Sequence, residues 1–404
     1  MTASATPGRT VHCDGLEPLD AAEILARART ATPLLRARSA EIEQARRLPA
    51  DVVQLLRDTG VFRMGRRAEW GGPELTFVEQ TRVIEELSYG DSAAGWCAMI
   101  GMDTPLYAGY LPEPAAAELL ADPDAITAGL VFPAGRAERV PGGYRVTGRW
   151  PFGSGVTHCD WIAAGCLVYR DGEPEPGPPG TPGNWRLVIA RSEEFSVVDT
   201  WHTTGMAGSG SLDYRTEDLF VPEERSFDFA TPRVEGPFAA PDAILGNVPG
   251  VPLGIARAAL DHVRELAADR VDRATGTPWT DSPHVHLALG RAELDLSAAR
   301  YAVYGSLDEL WQRLRAGTAP TPTQQVAAGL ARVNAFRTAR AVVTALSDLV
   351  GTAAIYRTSP LDRWLRDLHT LRQHVLAQDQ VVQSAGAHLV GGRPLVPFPL
   401  GLRV

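Results

Sequence analysis

The sequence predicts an α+β fold in which helices, then strands, then helices follow one another along the chain. Residues 19–121 and 237–404 carry apolar side chains at helical spacing. Residues 122–236 contain short runs of β-forming residues separated by Pro and Gly turns. Residues 1–18 are polar and are predicted to form a flexible N-terminus. We therefore predict an N-terminal helical domain, a central β domain and a C-terminal helical domain.

The N-terminal domain opens with two predicted helices. Apolar side chains recur near the 3.6-residue period of a helix that begins after residue 20, at Ile24, Leu25, Leu34, Leu35 and Ile42. In LPADVVQLLRDTGVF, Pro49 stands near the start of a second helix and Gly60 near its end. Further helices continue to about residue 120.

The central and C-terminal domains differ in predicted secondary structure. GYRVTGRWPF, DWIAAGCLVYR and WRLVIAR have the length and β-former content of strands. From about residue 239 the pattern becomes long and helical, as in PLGIARAALDHVRELAADRV and QQVAAGLARVNAFRTARAVVTALSDLVG. No repeat of solenoid period is evident, so the order of segments alone supports α+β segregation.

Composition excludes several classes of function. The 404-residue chain has a net charge of −9, which disfavours nucleic acid as a partner. All its basic residues are arginines, which excludes a Schiff-base or P-loop lysine. Its four cysteines show no CxxC spacing, and we predict no metal site. The N-terminus lacks a signal pattern and no apolar run suits a membrane span, so we predict a cytoplasmic protein without a membrane partner.

The stretch GRWPFGSGVTHCDW (148–161) is unusual because glycines alternate with aromatic residues. Strand positions favour Trp and Phe but disfavour interior Gly. Glycine in a strand marks a bulge or the close approach of another group. The pattern fits either a strand that carries a flat ligand or an ordinary strand with a kinked end.

Five stretches, in order, resemble the acyl-CoA dehydrogenase fold, and within it the reduced-flavin-dependent monooxygenases. The resemblance covers nearly the whole chain. It is carried by residues 47–72 (RLPADVVQLLRDTGVFRMGRRAEWGG), 90–99 (GDSAAGWCAM), 132–165, 197–225 and 366–374 (RDLHTLRQH).

The resemblance implies an N-terminal helical domain, a central β-barrel or β-sandwich domain and a C-terminal four-helix bundle, assembled as a homotetramer. It also implies an oxygenase component that receives reduced FMN or FAD from a separate flavin reductase. Molecular oxygen would be the co-substrate, and the reaction would pass through a C4a-hydroperoxyflavin. The small-molecule substrate would be hydroxylated at a nitrogen or an aromatic carbon in a specialised-metabolite pathway.

Two residues are the catalytic candidates that the resemblance selects. Ser154 would lie beside the flavin ring and donate to, or accept from, the ring near N5; otherwise it is a turn serine bonded to its own backbone. His374, seven residues after Asp367, would act as a base or hydrogen-bond partner to the substrate. We expect RDLHTLRQH to form one helix, so that Asp367 and His374 share a face.

The remaining candidates contact the flavin or the substrate in the same interpretation. The glycines beside Ser154 would admit the ring. Each side chain also has an ordinary structural explanation, as a core residue, a helix cap or a solvated arginine. The flavin candidates are Trp96, Phe152, Ser154, Gly155, Ser209, Arg270 and Arg273, and the substrate candidates are Met99, Asp103, Thr104 and His374.

The stretch MIGMDTPLY departs from the phenol hydroxylases of this branch, which often carry a histidine there. Asp103 and Thr104 stand in that region instead. This difference favours a nitrogen-containing substrate, with Asp103 pairing an ammonium group or capping a helix.

Two other functions remain open. An acyl-CoA dehydrogenase needs a carboxylate base near its C-terminus, and no acidic residue follows Asp379. A non-catalytic flavin-binding scaffold would not need Ser154 and His374 at these positions.

Overall fold

The N-terminal part of the chain is helical, as predicted. A computed structural model describes residues 19–177, 183–244 and 246–394. Residues 1–18, predicted as a flexible terminus, lie outside the described residues. The first helices are α1 (Ala21–Ala45), α2 (Ala50–Thr59), α3 (Phe77–Gly90), α4 (Ser92–Gly101), α5 (Thr104–Ala108) and α6 (Glu113–Leu119).

Side-chain caps fix where these helices begin. The Asp20 carboxylate accepts a hydrogen bond from the backbone N–H of Glu23 at 2.8 Å at the start of α1. Thr76 and Glu79 form a reciprocal capping box at the start of α3. Asp91 accepts from two backbone N–H groups of α4, which fixes the helix that carries Trp96.

The central part of the chain forms one eight-stranded sheet. The sequence predicts a barrel or sandwich, but hydrogen bonds among the described residues join all eight strands in the order β6-β7-β2-β1-β3-β5-β8, with β4 paired to β3. β1 and β3 are parallel, and the other pairs are antiparallel. The strands are β1 (Thr127–Val140), β2 (Gly143–Gly153), β3 (Trp161–Arg170), β4 (Glu173–Pro174), β5 (Trp185–Arg191), β6 (Ser196–Val198), β7 (Leu212–Pro222) and β8 (Ser226–Phe227).

The C-terminal part is helical again. The described residues there contain five α-helices, so the predicted count of four is not confirmed. They are α7 (Gly250–Asp269), α8 (Pro283–Arg315), α9 (Pro322–Val350), α10 (Pro360–Leu371) and α11 (Asp379–Leu389).

The N- and C-terminal helices pack directly against each other through α3 and α7. A Cβ placed on Gly254 of α7 would lie 2.2 Å from the backbone oxygen of Glu85 in α3. Glycine is therefore required there, because only a residue without a side chain lets the two backbones approach so closely. The two helical segments form one body beside the sheet, and the predicted domain boundaries at 121 and 236 remain predictions.

One segment, Pro322–Ile355, is long and apolar enough to cross a membrane by length and composition, although the sequence led us to expect none. The same test is passed by core helices of soluble proteins. Within the described chain, α9 packs against α7, α8, α10 and α11. Its apolar side chains Val333, Phe336 and Val343 are buried in those contacts.

Candidate active site

The turn that follows β2 carries Ser154 in a strained backbone. Phe152 adopts a left-handed conformation with φ of +62°, which is rare for a bulky residue. The N–H of Ser154 donates to the carbonyl oxygen of Phe152 at 2.8 Å. Ser154 is buried, whereas 62% of Phe152 is exposed and its ring meets that of Trp201 edge-on. Strain of this kind concentrates at functional sites.

The glycines of this turn make room for the protein's own side chains, and their role in admitting the flavin ring stays a prediction. A Cβ on Gly153 would lie 2.7 Å from the ring of Tyr214. Gly155 has a φ of +77°, and a Cβ there would lie 3.2 Å from Nε2 of His158. Burial lowers the pKa of His158 to about 4, so its ring is neutral. A contact between Gly155 and flavin stays a prediction.

A chain of hydrogen bonds connects Ser154 to three neighbouring elements. The indole Nε1–H of Trp96 in α4 donates to Ser154 Oγ at 2.9 Å. Ser154 Oγ and Ser211 Oγ are 2.7 Å apart, as are Ser211 Oγ and Ser209 Oγ. The Ser209 hydroxyl donates to the carbonyl oxygen of Met206 at 2.7 Å. Trp96, Ser154 and Ser209, chosen from separate sequence motifs, therefore meet in one buried network.

His374 joins this network through its ring. The rings of His374 and Trp96 meet edge-on with centroids 5.2 Å apart. The expectation of a single helix through RDLHTLRQH is wrong, because α10 ends at Leu371. His374 has an extended backbone and begins the following 3₁₀ turn. The carbonyl of Arg372 is bonded by the Gln378 side chain at 3.1 Å, a contact that short-range spacing does not encode.

The electrostatic environment keeps His374 neutral. Burial and, to a smaller extent, the nearby Arg332 guanidinium together lower its pKa to about 4. Nδ1 accepts a long hydrogen bond from the backbone N–H of Leu376 at 3.4 Å. In a neutral imidazole, an accepting Nδ1 leaves the hydrogen on Nε2. The ring can therefore offer an N–H donor at neutral pH.

Asp367 bonds Met206, the residue at the end of the serine network opposite Trp96. Its carboxylate accepts a hydrogen bond from the backbone N–H of Met206 at 2.6 Å. Met206 has a φ of +55°, and the preceding Gly205 lies so close to α10 that a Cβ would be 2.1 Å from the backbone oxygen of Arg366. Burial, with smaller contributions from the carboxylates of Asp91 and Glu43, raises the pKa of Asp367 to about 6, although the hydrogen bond from Met206 opposes the rise.

The three substrate candidates in and after α4 are buried. Met99 is fully buried in the helical core. The Thr104 hydroxyl lies 2.8 Å from both the carbonyl oxygen of Ala125 and the hydroxyl of Thr127. Asp103 is buried at the start of α5 without capping that helix. These side chains serve packing and internal hydrogen bonds, and their contact with substrate stays a prediction.

The two arginine candidates lie among the C-terminal helices. Arg270 follows α7, stacks over the ring of Trp279 and donates to the carbonyl oxygen of Val350 at 2.9 Å. Arg273 is exposed in the next turn. Neither shares a recorded contact with the Ser154 turn within the described part of the chain. Their predicted role at the flavin phosphates remains untested.

The described residues contain no group of three His, Cys, Asp or Glu side chains that could hold a metal ion. The described cysteines Cys97, Cys159 and Cys166 are free and buried. Burial raises the pKa of the Cys159 thiol to about 12, which keeps it protonated and unreactive at neutral pH.

Sequence reasoning missed Ser211, which lies between Ser154 and Ser209 in the network. A signal was available in GSGS, where Ser209 and Ser211 are two residues apart. Ser211 immediately precedes Leu212, the β7 residue that pairs with Gly153 of β2. Knowledge of that register would have placed Ser211 beside Ser154.

The residues around Ser154 fit a flavin ring. The exposed aromatic face of Phe152 suits contact with a flat heterocycle. The Ser154 hydroxyl is held by two neighbours and retains a lone pair for a third partner. Trp96 contacts Ser154 through its indole N–H and meets the ring of His374 edge-on.

Family comparisons agree with this architecture. Residues 23–112 match the family model described as acyl-CoA dehydrogenase, N-terminal domain. Residues 249–379 match the model described as acyl-CoA dehydrogenase, C-terminal domain. The two models thus cover the helical segments on either side of the sheet.

Named relatives narrow the class of protein. The chain is 33% identical to an indole-3-acetate monooxygenase of Pseudomonas putida, over 89% of this chain and 92% of the relative. It is 26% identical to a flavin-dependent monooxygenase oxygenase subunit, HsaA, of Rhodococcus jostii, over 85% and 91%. Among solved structures, XiaF from Streptomyces sp. in complex with FADH2 and glycerol superposes with a TM-score of 0.85, at 28% identity, over 93% and 97%.

The fold and the similarities define a flavin-dependent oxidoreductase. More narrowly, the chain belongs to the acyl-CoA dehydrogenase family, in its branch of flavin-dependent monooxygenases. The resemblance inferred from the five sequence motifs is confirmed.

Proposed function

We propose that this protein is the oxygenase component of a two-component monooxygenase that hydroxylates an electron-rich aromatic compound. A separate reductase supplies its reduced flavin. The observation that carries the proposal is the cluster of the buried Trp96 and Ser154 with the half-buried His374, beside the exposed ring of Phe152. Reduced flavin, when bound, supplies the electrons with which molecular oxygen is activated. FMN and FAD both remain candidates, because the proposed contacts involve only the ring.

Each residue of the cluster has a distinct part in this proposal. Ser154 bonds the flavin ring at its edge, and Trp96 fixes the Ser154 hydroxyl from behind. His374 is neutral and donates through Nε2 to the substrate atom that reacts or to the oxygen it receives. This donor role is preferred to a base role because burial gives His374 a pKa of about 4, which makes it a weak base.

The substrate class is proposed from two considerations. The named relatives include an indole-3-acetate monooxygenase and a resorcinol hydroxylase. The Thr104 hydroxyl bonds to Ala125 and Thr127, so of the two residues that favoured a nitrogen substrate only Asp103 is left to pair an ammonium group. We therefore favour hydroxylation at an aromatic carbon over oxidation of an amine.

The test is a turnover assay with chemically or enzymatically reduced flavin, labelled molecular oxygen and a panel headed by indole-3-acetate and resorcinol. Incorporation of one labelled oxygen atom into product supports the proposal. His374→Ala is expected to bind flavin but to lose product. Bleaching of tightly held oxidised flavin by an acyl thioester, without oxygen incorporation, would instead identify a dehydrogenase.

We also propose that the protein assembles as a homotetramer, with α8 at one of the interfaces. Leu287, Leu294 and Tyr301 are exposed on α8 and lie seven residues apart, so they share one face. A second copy of the same helix offers a matching apolar face. Leu294→Glu is expected to lower the mass measured by light scattering. Glu309→Ala, on the same helix, is expected to leave it unchanged.

A further inference from the structure

The direction of every hydrogen bond in the serine chain is fixed by its two ends. At one end the Trp96 Nε1–H can only donate, and at the other the Met206 carbonyl can only accept. Three hydroxyls, those of Ser154, Ser211 and Ser209, lie between them. The four links need four hydrogens, and the indole and the three hydroxyls supply that number. All four bonds form in only one arrangement.

In that arrangement the hydrogens all point away from Trp96. Ser209 donates to Met206, so Ser209 Oγ must accept from Ser211. The hydrogen of Ser211 is then used, so Ser211 Oγ must accept from Ser154. Ser154 therefore accepts from Trp96, gives its own hydrogen to Ser211, and keeps one lone pair. Toward a ligand, Ser154 acts as an acceptor.

The arrangement is held rigidly and is shielded from water. The three serines are at most 6% exposed, so a lost bond is not replaced by solvent. The backbone oxygen of Ser209 accepts from the N–H of Gly155 at 3.1 Å, which ties the two turns together. Cys97 contacts the same oxygen through its Sγ at 3.4 Å.

We propose that Ser211 and Ser209 are positioning residues that make Ser154 an acceptor, so that the site selects reduced over oxidised flavin. The inference rests on the proposed function. In reduced flavin N5 carries a hydrogen and donates, whereas in oxidised flavin N5 has a lone pair and accepts. An accepting Ser154 Oγ can bond the N5–H of reduced flavin, but it presents a lone pair to the lone pair on N5 of oxidised flavin. Ser154 can donate to N5 of oxidised flavin only if its hydrogen bond to Ser211 is broken.

The experiment compares the dissociation constants of oxidised and dithionite-reduced FMN and FAD, measured anaerobically by fluorescence or absorbance titration. The wild-type protein should prefer reduced flavin by about tenfold, which is roughly 1.4 kcal/mol and within the contribution of one hydrogen bond. For a two-electron couple, tenfold corresponds to a bound-flavin midpoint potential higher by about 30 mV.

Two variants release the hydrogen of Ser154 without removing Ser154 itself. In Ser211→Ala the hydroxyl loses its acceptor and can turn toward the ligand. In Ser209→Ala, Ser211 can donate to Ser154 instead, although Ser209 does not bond Ser154 directly. Both should bind oxidised flavin more tightly, and the preference should fall by about tenfold. Ser226→Ala, which deletes a buried hydroxyl bonded to the Glu223 carbonyl, is the matched control. It should keep the wild-type preference for reduced flavin.

A preference that is unchanged in both folded variants overturns the inference and leaves the monooxygenase proposal intact. A wild-type protein that binds the two redox forms equally does the same. A wild-type protein that binds neither form overturns the proposed function and this inference with it. If Ser211→Ala does not fold, Ser209→Ala decides the question, since its deletion lies one link further from the ligand.

Discussion

Replacing Asp367 by Asn should stabilise the protein at neutral and alkaline pH. The carboxyl group is buried and its pKa is raised from 3.8 to about 6. Since the folded state holds a proton that the unfolded state has released, stability falls as the pH rises from about 4 to about 6. Two units at ~1.4 kcal/mol each give a cost of about 3 kcal/mol above pH 7. Asn removes the charge and keeps an oxygen to accept from Met206.

The assay is urea unfolding at pH 4, 6 and 8, at one fixed protein concentration because the stability of an assembling protein depends on its concentration. The variant should gain up to about 3 kcal/mol over the wild type at pH 8 and nothing at pH 4. Asp348→Asn, an exposed position on α9, should reproduce the wild-type pH dependence. A variant that is less stable than the wild type at pH 8 would show that the ionised carboxylate stabilises the fold, and would refute the reasoning.

Three further predictions concern catalysis and packing. Ser154→Ala should raise the share of reduced flavin lost as hydrogen peroxide, measured with peroxidase, by about five- to tenfold, because one hydrogen bond to the ring disappears; an unchanged share would remove Ser154 from the site. Since burial lowers the pKa of His374 to about 4, the pH profile of kcat/KM of the wild-type protein should show no limb near 6.5. Gly205→Ala should lower the free energy of unfolding by about 2 kcal/mol or more, because its Cβ meets the Arg366 backbone. Gly386→Ala, on an open face of α11, should raise it by up to about 1 kcal/mol in the same urea titration.

Local signals predicted the helical parts of the fold well. Of the five residues chosen at helical spacing in α1, Ile24, Leu35 and Ile42 are buried, whereas Leu25 is half-buried and Leu34 is exposed. Pro49 and Gly60 flank α2 as expected, and Gly60 has the left-handed φ of +81° that ends a helix. Such signals act within a few residues, so one sequence is enough to detect them.

Features that depend on distant partners were not predictable in the same way. Gly153 is required because the ring of Tyr214, a residue of the neighbouring strand β7, leaves no room for a Cβ. A nearer contact was also missed: α10 ends before His374, where the Gln378 side chain bonds the Arg372 carbonyl, although Arg372 and Gln373 are good helix formers. Ser211 could be placed only with the register of β2 against β7.

The candidate site was predicted in part for the same reason. The family motifs selected Trp96, Ser154, Ser209 and His374, which the structure brings into one network. The motifs could not supply hydrogen-bond direction, because direction depends on which atoms stand at the two ends of the chain. The motifs also could not show that the Thr104 hydroxyl bonds the carbonyl oxygen of Ala125.

The contact of Gly205 with Arg366 sets a condition for building hybrid enzymes. It lies where the segment between β6 and β7 meets α10, so it joins the half of the protein that carries Ser154 to the half that carries His374. A hybrid that takes its C-terminal helices from a relative must therefore inherit both sides of this junction from one parent. If the crossover separates them, a displacement of even an ångström moves the two catalytic candidates apart, and the hybrid would fold yet misalign its chemistry.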